Sequence, residues 1–302
     1  MGASQLATKG SGMAVEQHPT VRRRVLGANL RRLREKQGLL LEDAAEHLSC
    51  HAAKVSRIES GRSGIRQLDL RVLLDLYGIG DPAEREGWLS LAREARRQRW
   101  WRALEDQLPR DFLDLIGLEE DVSRCRGFQP SIVPGLFQTE AYAISVIRGG
   151  LAGPLTDGQK AKVKIRLERQ KALTRQDPGP LDVWMVLGEA ALRQCIGGVD
   201  VLRDQLLHLA ELAQLPNVTV QVLPFEAGAC KGGMLPFLLY SFPAPAELEV
   251  VLLENFTSHA YLESAEDTTH YNSVFDHVRA TALSPLESES AIMRAARGLV
   301  RV

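Results

Sequence analysis

Between Leu41 and Gly61 the chain has little conformational choice. Leu41-Glu42-Asp43-Ala44-Ala45-Glu46-His47-Leu48 carries a helical spacing of apolar residues, and Ala52-Ala53-Lys54-Val55-Ser56-Arg57-Ile58-Glu59 carries a second one. Only a few residues separate the two. Small Ala45 sits where two such helices would cross, and Leu48, Val55 and Ile58 sit where apolar side chains would lock the pair. Polar residues fill the face between those locks. The pattern predicts a helix-turn-helix: two short helices at a steep angle, with the second one presented outward.

The flanks complete a small all-α unit. Thr20 to Lys36 reads as an amphipathic helix with a stripe of Val21, Val25, Ala28 or Asn29, and Leu33; its arginines lie mostly off the stripe. Gly38 ends it. A helix is expected over Leu68–Tyr77, with Leu70, Leu73, Leu74 and Tyr77 inward. Gly78 to Pro82 is a turn, with Pro82 suited to a first helical position, and a long Arg-rich helix then runs to about Trp101. Residues 20–102 therefore form a five-helix domain, preceded by a disordered lead over residues 1–19. Trp100-Trp101 is expected to form a hinge to the rest of the chain.

Charge separates this head from the remainder. The 302-residue chain carries a net −1, but residues 20–66 hold 11 Lys or Arg against 5 Asp or Glu, a net of +6, whereas residues 67–302 sum to −7. A basic head on an acidic body suits a protein that grips phosphate at one end only. In a helix-turn-helix the second helix enters the major groove of duplex DNA. His51, Ala52, Ala53, Lys54, Ser56, Arg57 and, just beyond the helix, Arg62 are the residues expected to face it. Arg57 can take a guanine edge or a phosphate. Lys54 suits a phosphate, because a flexible point charge reads sequence poorly. The two alanines offer methyl contacts, so specificity leans on His51, Ser56, Arg57 and DNA shape.

Residues 103–302 read as a mixed α+β domain, expected to be a mostly antiparallel sheet of three to five strands with helices packed on it. Helices are predicted over about Leu104–Cys125, Thr139–Arg148, Thr156–Thr174, Glu189–Cys195, Val199–Leu215, Ser264–Ala282 and Pro285–Gly298. Strands are predicted over Leu181–Leu187, Val218–Leu223, Pro236–Phe242, Leu248–Glu254 and His259–Leu262, with Phe128–Phe137 irregular.

Particular segments now point to a family. Lys54-Val55-Ser56-Arg57-Ile58-Glu59-Ser60-Gly61 resembles an element of the XRE/Cro-type helix-turn-helix regulators, which have a lambda repressor-like head. The resemblance implies that Glu59 is structural and pairs with an arginine of the first helix, Arg32 or Arg34. Val133-Pro134-Gly135-Leu136-Phe137-Gln138-Thr139-Glu140-Ala141-Tyr142-Ala143 resembles a signature of the WhiJ-type actinobacterial regulators. So do Arg166-Leu167-Glu168-Arg169-Gln170, Gly188 to Arg193, and Val220 to Phe225. Together these segments span about residues 25–295. Two positions depart from the pattern. Ser49 stands where Gly is common, at some cost in left-handed strain, and His51 stands where a Ser would cap the recognition helix better. The WhiJ-type resemblance implies that the signal is a small partner protein, often encoded next door, in an antitoxin-like pair.

Cys50, Cys125, Cys195 and Cys230 lie far apart with no Cys-x-x-Cys, so neither a zinc ribbon nor a disulfide framework is expected. No apolar run approaches a membrane span. His259, His270 and His277 lack metal-ligand spacing, and Gly228–Gly233 with Lys231 lacks the P-loop spacing. No hydrolase or metalloprotease motif occurs. The expectation is a cytoplasmic regulator, nucleoid-associated on DNA, with no catalytic residue, metal or cofactor. It acts on double-stranded DNA as a homodimer, because one small head reads a half-site weakly. The alternative is a body that is an enzyme or small-molecule receptor governed by the head.

Overall fold

The computed structural model describes residues 21–94, 110–150, 153–177, 179–228, 235–243, 249–254 and 259–299. The expected lead over residues 1–19, the Trp100-Trp101 hinge, and Cys230 and Lys231 lie outside them.

The head consists of α1 (Val21–Lys36), α2 (Leu41–His47), α3 (Ala52–Glu59), α4 (Gln67–Leu76) and α5 (Pro82–Glu94). Its core gathers Leu26, Leu30, Ala44, Ala45, Val55, Ile58, Leu70, Leu73, Leu74, Tyr77, Trp88 and Leu89. The inward face of α4 is the one the sequence predicted. The stripe of α1 is so only in part, at Val25 and Asn29. Val25, Leu26, Asn29 and Leu30 are buried, Ala28 is exposed, and Leu33 is only partly covered. The reason is that α1 is gripped from two sides: Leu26 and Leu30 enter the head core, while Val25 packs into the core of the body.

The body runs α6 (Arg110–Asp121), β1 (Arg124–Gln129), α7 (Glu140–Arg148), α8 (Asp157–Arg169), β2 (Asp182–Gly188), α9 (Ala190–Arg193), α10 (Val199–Leu212), β3 (Val218–Leu223), β4 (Phe237–Ser241), β5 (Glu249–Glu254), β6 (His259–Leu262), α11 (Ala265–Thr281) and α12 (Pro285–Gly298). The strands form one six-stranded sheet in the order β3-β2-β1-β4-β5-β6. Three of its five strand pairings are antiparallel, as a mostly antiparallel sheet requires, but two are parallel and the strands number six where three to five were expected. β1, β2 and β3 are mutually parallel, and β4, β5 and β6 continue antiparallel. The parallel half follows from the helices between its strands: α7 and α8 carry the chain from β1 to β2, and α9 and α10 from β2 to β3.

The expected Leu104–Cys125 helix ends at Asp121; β1 begins at Arg124, within its expected last residues, and runs into the first two residues of the segment expected to be irregular. Arg124-Cys125-Arg126-Gly127-Phe128-Gln129 looks polar, yet its period-2 alternation is real. Cys125 joins the core on one face and Phe128 the core on the other. Arg126 is tolerated because Glu249 pairs with it and the Phe275 ring lies 5.7 Å from its guanidinium.

Helices cover both faces. The larger core packs Val183, Met185, Leu187, Val220, Val222, Tyr240, Val250 and Leu252 against residues of α6, α7, α8, α10 and α12. The smaller one packs Phe128, Val186, Leu239 and Val251 against Val274, Phe275 and Val278 of α11. On the β3 edge both backbone groups of Val222 are capped: its N donates to Ser288 Oγ at 2.9 Å, and its O accepts from Leu283 N at 2.9 Å. No helix among the described residues is long and apolar enough to cross a membrane.

Candidate nucleic-acid interface

The site is assembled from α1, α2, α3 and α4. Asp43 opens α2 by accepting a hydrogen bond from Leu40 N at 2.7 Å. The turn to α3 passes through Ser49 at φ 48°, the single non-glycine with positive φ among the described residues. That is the strain its side chain predicted. His51 precedes α3 in an extended conformation, with no side-chain bond to the helix end. The recognition helix therefore starts without the hydroxyl cap that would satisfy one of its free N–H groups.

The hold on α3 is at its other end. Arg34 of α1 donates two parallel bonds to Glu59, Nε to Oε1 at 2.7 Å and Nη2 to Oε2 at 2.8 Å, and its third arm donates to Leu39 O at 2.7 Å. Both side chains are buried, at 8% and 6% exposure. The geometry chooses Arg34 over Arg32, which is exposed. Hydrogen bonding to Glu59 is the largest influence on the guanidinium and keeps its pKa above the ordinary arginine value. Backbone contact reinforces the clamp. A Cβ at Gly27 would lie 2.4 Å from Ile58 O, and one at Gly61 would lie 2.7 Å from Arg24 N. Gly61 also sits at φ +71°. The two glycines let α1 lie directly on the end of α3.

The outer face of α3 is then fixed in space. His51, Ala53, Ser56, Arg57 and, after the helix, Arg62 are exposed, whereas Val55 and Ile58 point inward at 0% and 2% exposure. Among the described residues, Arg57 and Arg62 find no side-chain bond or ion pair. Ala52 is half-buried and packs against the head core, which leaves it a smaller share of the surface. Lys54 is half-exposed and already engaged: its Nζ lies 2.7 Å from Asp69 Oδ2 at the start of α4. Sequence reasoning did not find that partner. The signal available was a carboxylate in the first turn of the next helix. Arg66 and Arg71 are exposed on the same connection and helix, and extend the cationic surface beyond the predicted set.

A family model described as a helix-turn-helix domain matches residues 25–88. A second, described as a domain of unknown function, DUF5753, matches residues 112–294, more than half of the chain. The chain belongs to the DUF5753 family. No curated protein and no solved structure matches it.

In this DUF5753 chain the Val133–Thr139 segment is a fastening between layers. Gln138 Nε2 donates to Val133 O at 2.7 Å, and Arg166 Nη1 donates to Gln138 Oε1 at 3.0 Å. Gln170 Nε2 donates to Gly135 O and Gln138 O at 3.1 and 2.6 Å. Gln205 of α10 donates to Phe137 O and accepts from Thr139 N, both at 2.7 Å. Segments far apart in sequence thus meet in one buried hydrogen-bond network. Beside it, Arg169 pairs with Glu119 through two bonds, and Tyr240 Oη donates to the same carboxylate at 2.6 Å. Burial pushes the Arg166 guanidinium down to about 10. His259 lies 3.6 Å from Glu254. Among the described residues no three His, Cys, Asp or Glu side chains converge as a metal site.

Proposed function

We propose that this chain is a sequence-specific DNA-binding transcriptional regulator, a repressor or developmental switch, in which α3 reads the major groove. One observation carries the reading. The recognition helix is locked from behind by the buried Arg34–Glu59 clamp, while Arg57 and Arg62 project outward, unpaired among the described residues. A helix held rigidly with free cations on its outer face matches what groove recognition requires. The +6 charge of residues 20–66 supplies the phosphate attraction.

The reading extends to the body. It acts as the dimerisation and signal-receiving part, takes no part in catalysis, and answers a small partner protein. Support for this is its net −7 over residues 67–302, which suits a basic partner, together with the family resemblance of the Val133–Ala143 and Arg166–Gln170 segments. The protein would act in the cytoplasm. Gel-shift titration on genomic promoter fragments tests the central claim. Six to ten phosphate contacts by a dimer should make affinity fall by roughly 10³–10⁵ between about 50 and 200 mM salt. Salt-independent binding, or binding to no fragment, would refute it.

A further inference from the structure

At the end of the sheet away from the head, the C-terminal ends of β2 and β3 meet α9 and α12 around a groove of about 550 Å³. Leu192, Val222, Pro224, Ala295 and Leu299 form the apolar part of its walls, and Glu189, Arg193, Glu226 and Arg294 the charged part. Phe225, on the turn that leaves β3, stands beside it with 58% of its surface exposed, and Leu286 of α12 is 74% exposed. The β3 edge is capped at Val222 by Leu283 and Ser288, so strand addition is not how this surface would bind.

The charges at the groove divide into a closed pair and an open one. Glu189 is saturated: Oε1 accepts from Arg193 at 2.6 Å and Oε2 accepts from Phe225 N at 2.9 Å. Glu226, on the β3 exit turn, and Arg294, on α12, are exposed and make no bond among the described residues, although both line the same groove. One copy therefore presents an apolar knob, an apolar hole, one unpaired anion and one unpaired cation on a single patch. A contact about a two-fold axis requires a surface complementary to itself, with each group meeting its opposite on the other copy. We propose that this groove is the dimer interface: Phe225 of each copy enters the groove of the other, and Glu226 of each copy faces Arg294 of the other. The proposal rests on the homodimer reading above and specifies the surface it uses. It also leaves the heads free, because α1 contacts the body at α6 and at Tyr261 and Glu263 by β6, none of which lines the groove.

Sedimentation of the full chain across a concentration series tests it, with Glu226→Arg, Arg294→Glu, the double reversal, and Phe225→Ser. Wild type should sediment as two chains at micromolar concentration. Each single reversal puts like charges together at two symmetric contacts and should raise the dimer dissociation constant about tenfold or more. The double reversal restores opposite charges across the axis and should return to within about threefold of wild type. Phe225→Ser should weaken the dimer without rescue. A two-chain mass indifferent to all four variants would overturn this surface and leave the homodimer reading standing. Single reversals that weaken the dimer without rescue by the double would overturn the Glu226–Arg294 pairing. A one-chain mass would overturn both readings, and a co-purifying small molecule seen in native mass spectrometry alongside it would assign the groove to that ligand.

Discussion

The outward face of α3 and α4 and the interior of the body use arginine in opposite ways. In the head, Arg57, Arg62, Arg66 and Arg71 lie on the surface without partners among the described residues, and Arg34 is turned inward as a clamp. In the body, Arg169 is paired under the sheet, and Arg166 is held in the Gln138–Gln170 network. Arg175 donates to Glu120 O and Val122 O at 2.8 and 2.7 Å and to Gly179 O at 2.7 Å, so it ties off carbonyls at the end of α6. The side chain is the same and the surroundings decide its task. Free guanidinium groups form an electrostatic surface, whereas engaged ones crosslink elements distant in sequence. A cluster of arginines in a sequence therefore speaks of a polyanion partner only where the fold leaves them outside.

The largest effects should come from the inward arginines. Glu119→Ala strands the buried Arg169 charge and removes the acceptor of Tyr240, and should cost about 3–5 kcal/mol. Glu59→Ala strands Arg34 in the head by the same mechanism, at a similar cost. Calorimetry of the full chain separates them. The first should lower the transition of the body and the second that of the head, with DNA binding lost at temperatures where the head has melted. If Glu59→Ala abolished DNA binding with no change in melting, Glu59 would belong to the interface and the division between clamp and surface would fail.

The outward arginines should show the converse. Arg57→Ala should leave melting within about 0.5 kcal/mol of wild type. It should cost about 1–3 kcal/mol of DNA affinity and relax one operator position if the side chain reaches a base edge. Equal losses on operator and random DNA would make it a phosphate contact instead. Lys54 is the intermediate case, because Asp69 already holds it. If it contacts a phosphate, Lys54→Ala should weaken all sequences alike and reduce the salt slope by about one unit. Asp69→Asn should then strengthen binding by freeing the cation. If neither change moves the salt slope, Lys54 serves only to join α3 to α4.

Legibility in the sequence follows the same divide. The head was readable because its information is local: Ala45, Val55, Ile58, Leu70, Leu73 and Leu74 repeat at helical spacing and are buried as expected. The Glu59 clamp was narrowed to two arginines, and three-dimensional packing chose between them. In the body, the strands carried by near-continuous apolar runs, such as Val218–Leu223 and Glu249–Glu254, were legible. β1 was not, because Arg126 draws its compensation from Glu249 and Phe275, more than a hundred residues away. The parallel half of the sheet was missed for a related reason. Parallel pairing is a property of crossovers, and no single strand's alternation records it. At α3, the exposure of His51, Ala53, Ser56 and Arg57 was legible, but the Asp69 contact of Lys54 belongs to packing between elements.

A spacing measurement sharpens the comparison further. If dimers join at the β3 end, five strand intervals, about 24 Å, separate that joint from the point on β6 where Arg24 of α1 meets Tyr261. Two heads would then stand about 50 Å apart or more, beyond the ~34 Å of one helical turn of DNA. Operator half-sites should be centred about two turns apart, and footprints on operators with altered spacers would read this directly. Best binding at one turn would contradict the proposed joint.

The smallest effect concerns the seam between the two regions. Arg24 of α1 makes a 2.8 Å ion pair with Glu263, and its guanidinium lies 5.6 Å from the centre of the Tyr261 ring. Both ion-pair partners are about three-quarters buried, at 28% and 22% exposure. The neighbouring Val25 is buried in the body core. Because α1 also carries Arg34, the helix that clamps α3 is the helix docked on the body. Glu263→Gln removes one charge and keeps a hydrogen-bonding group, so stability should fall by only about 1 kcal/mol or less. The orientation of the head should respond more than its folding does. On optimally spaced operators the variant should bind slightly more weakly, and on operators lengthened or shortened by a base pair it should bind relatively better than wild type. The ratio of the two affinities reads the stiffness of the joint, independent of how well each head grips its half-site. An unchanged ratio in Glu263→Gln and Tyr261→Ala would mean that the Val25 contact alone sets the geometry and that this arginine, although paired, transmits nothing.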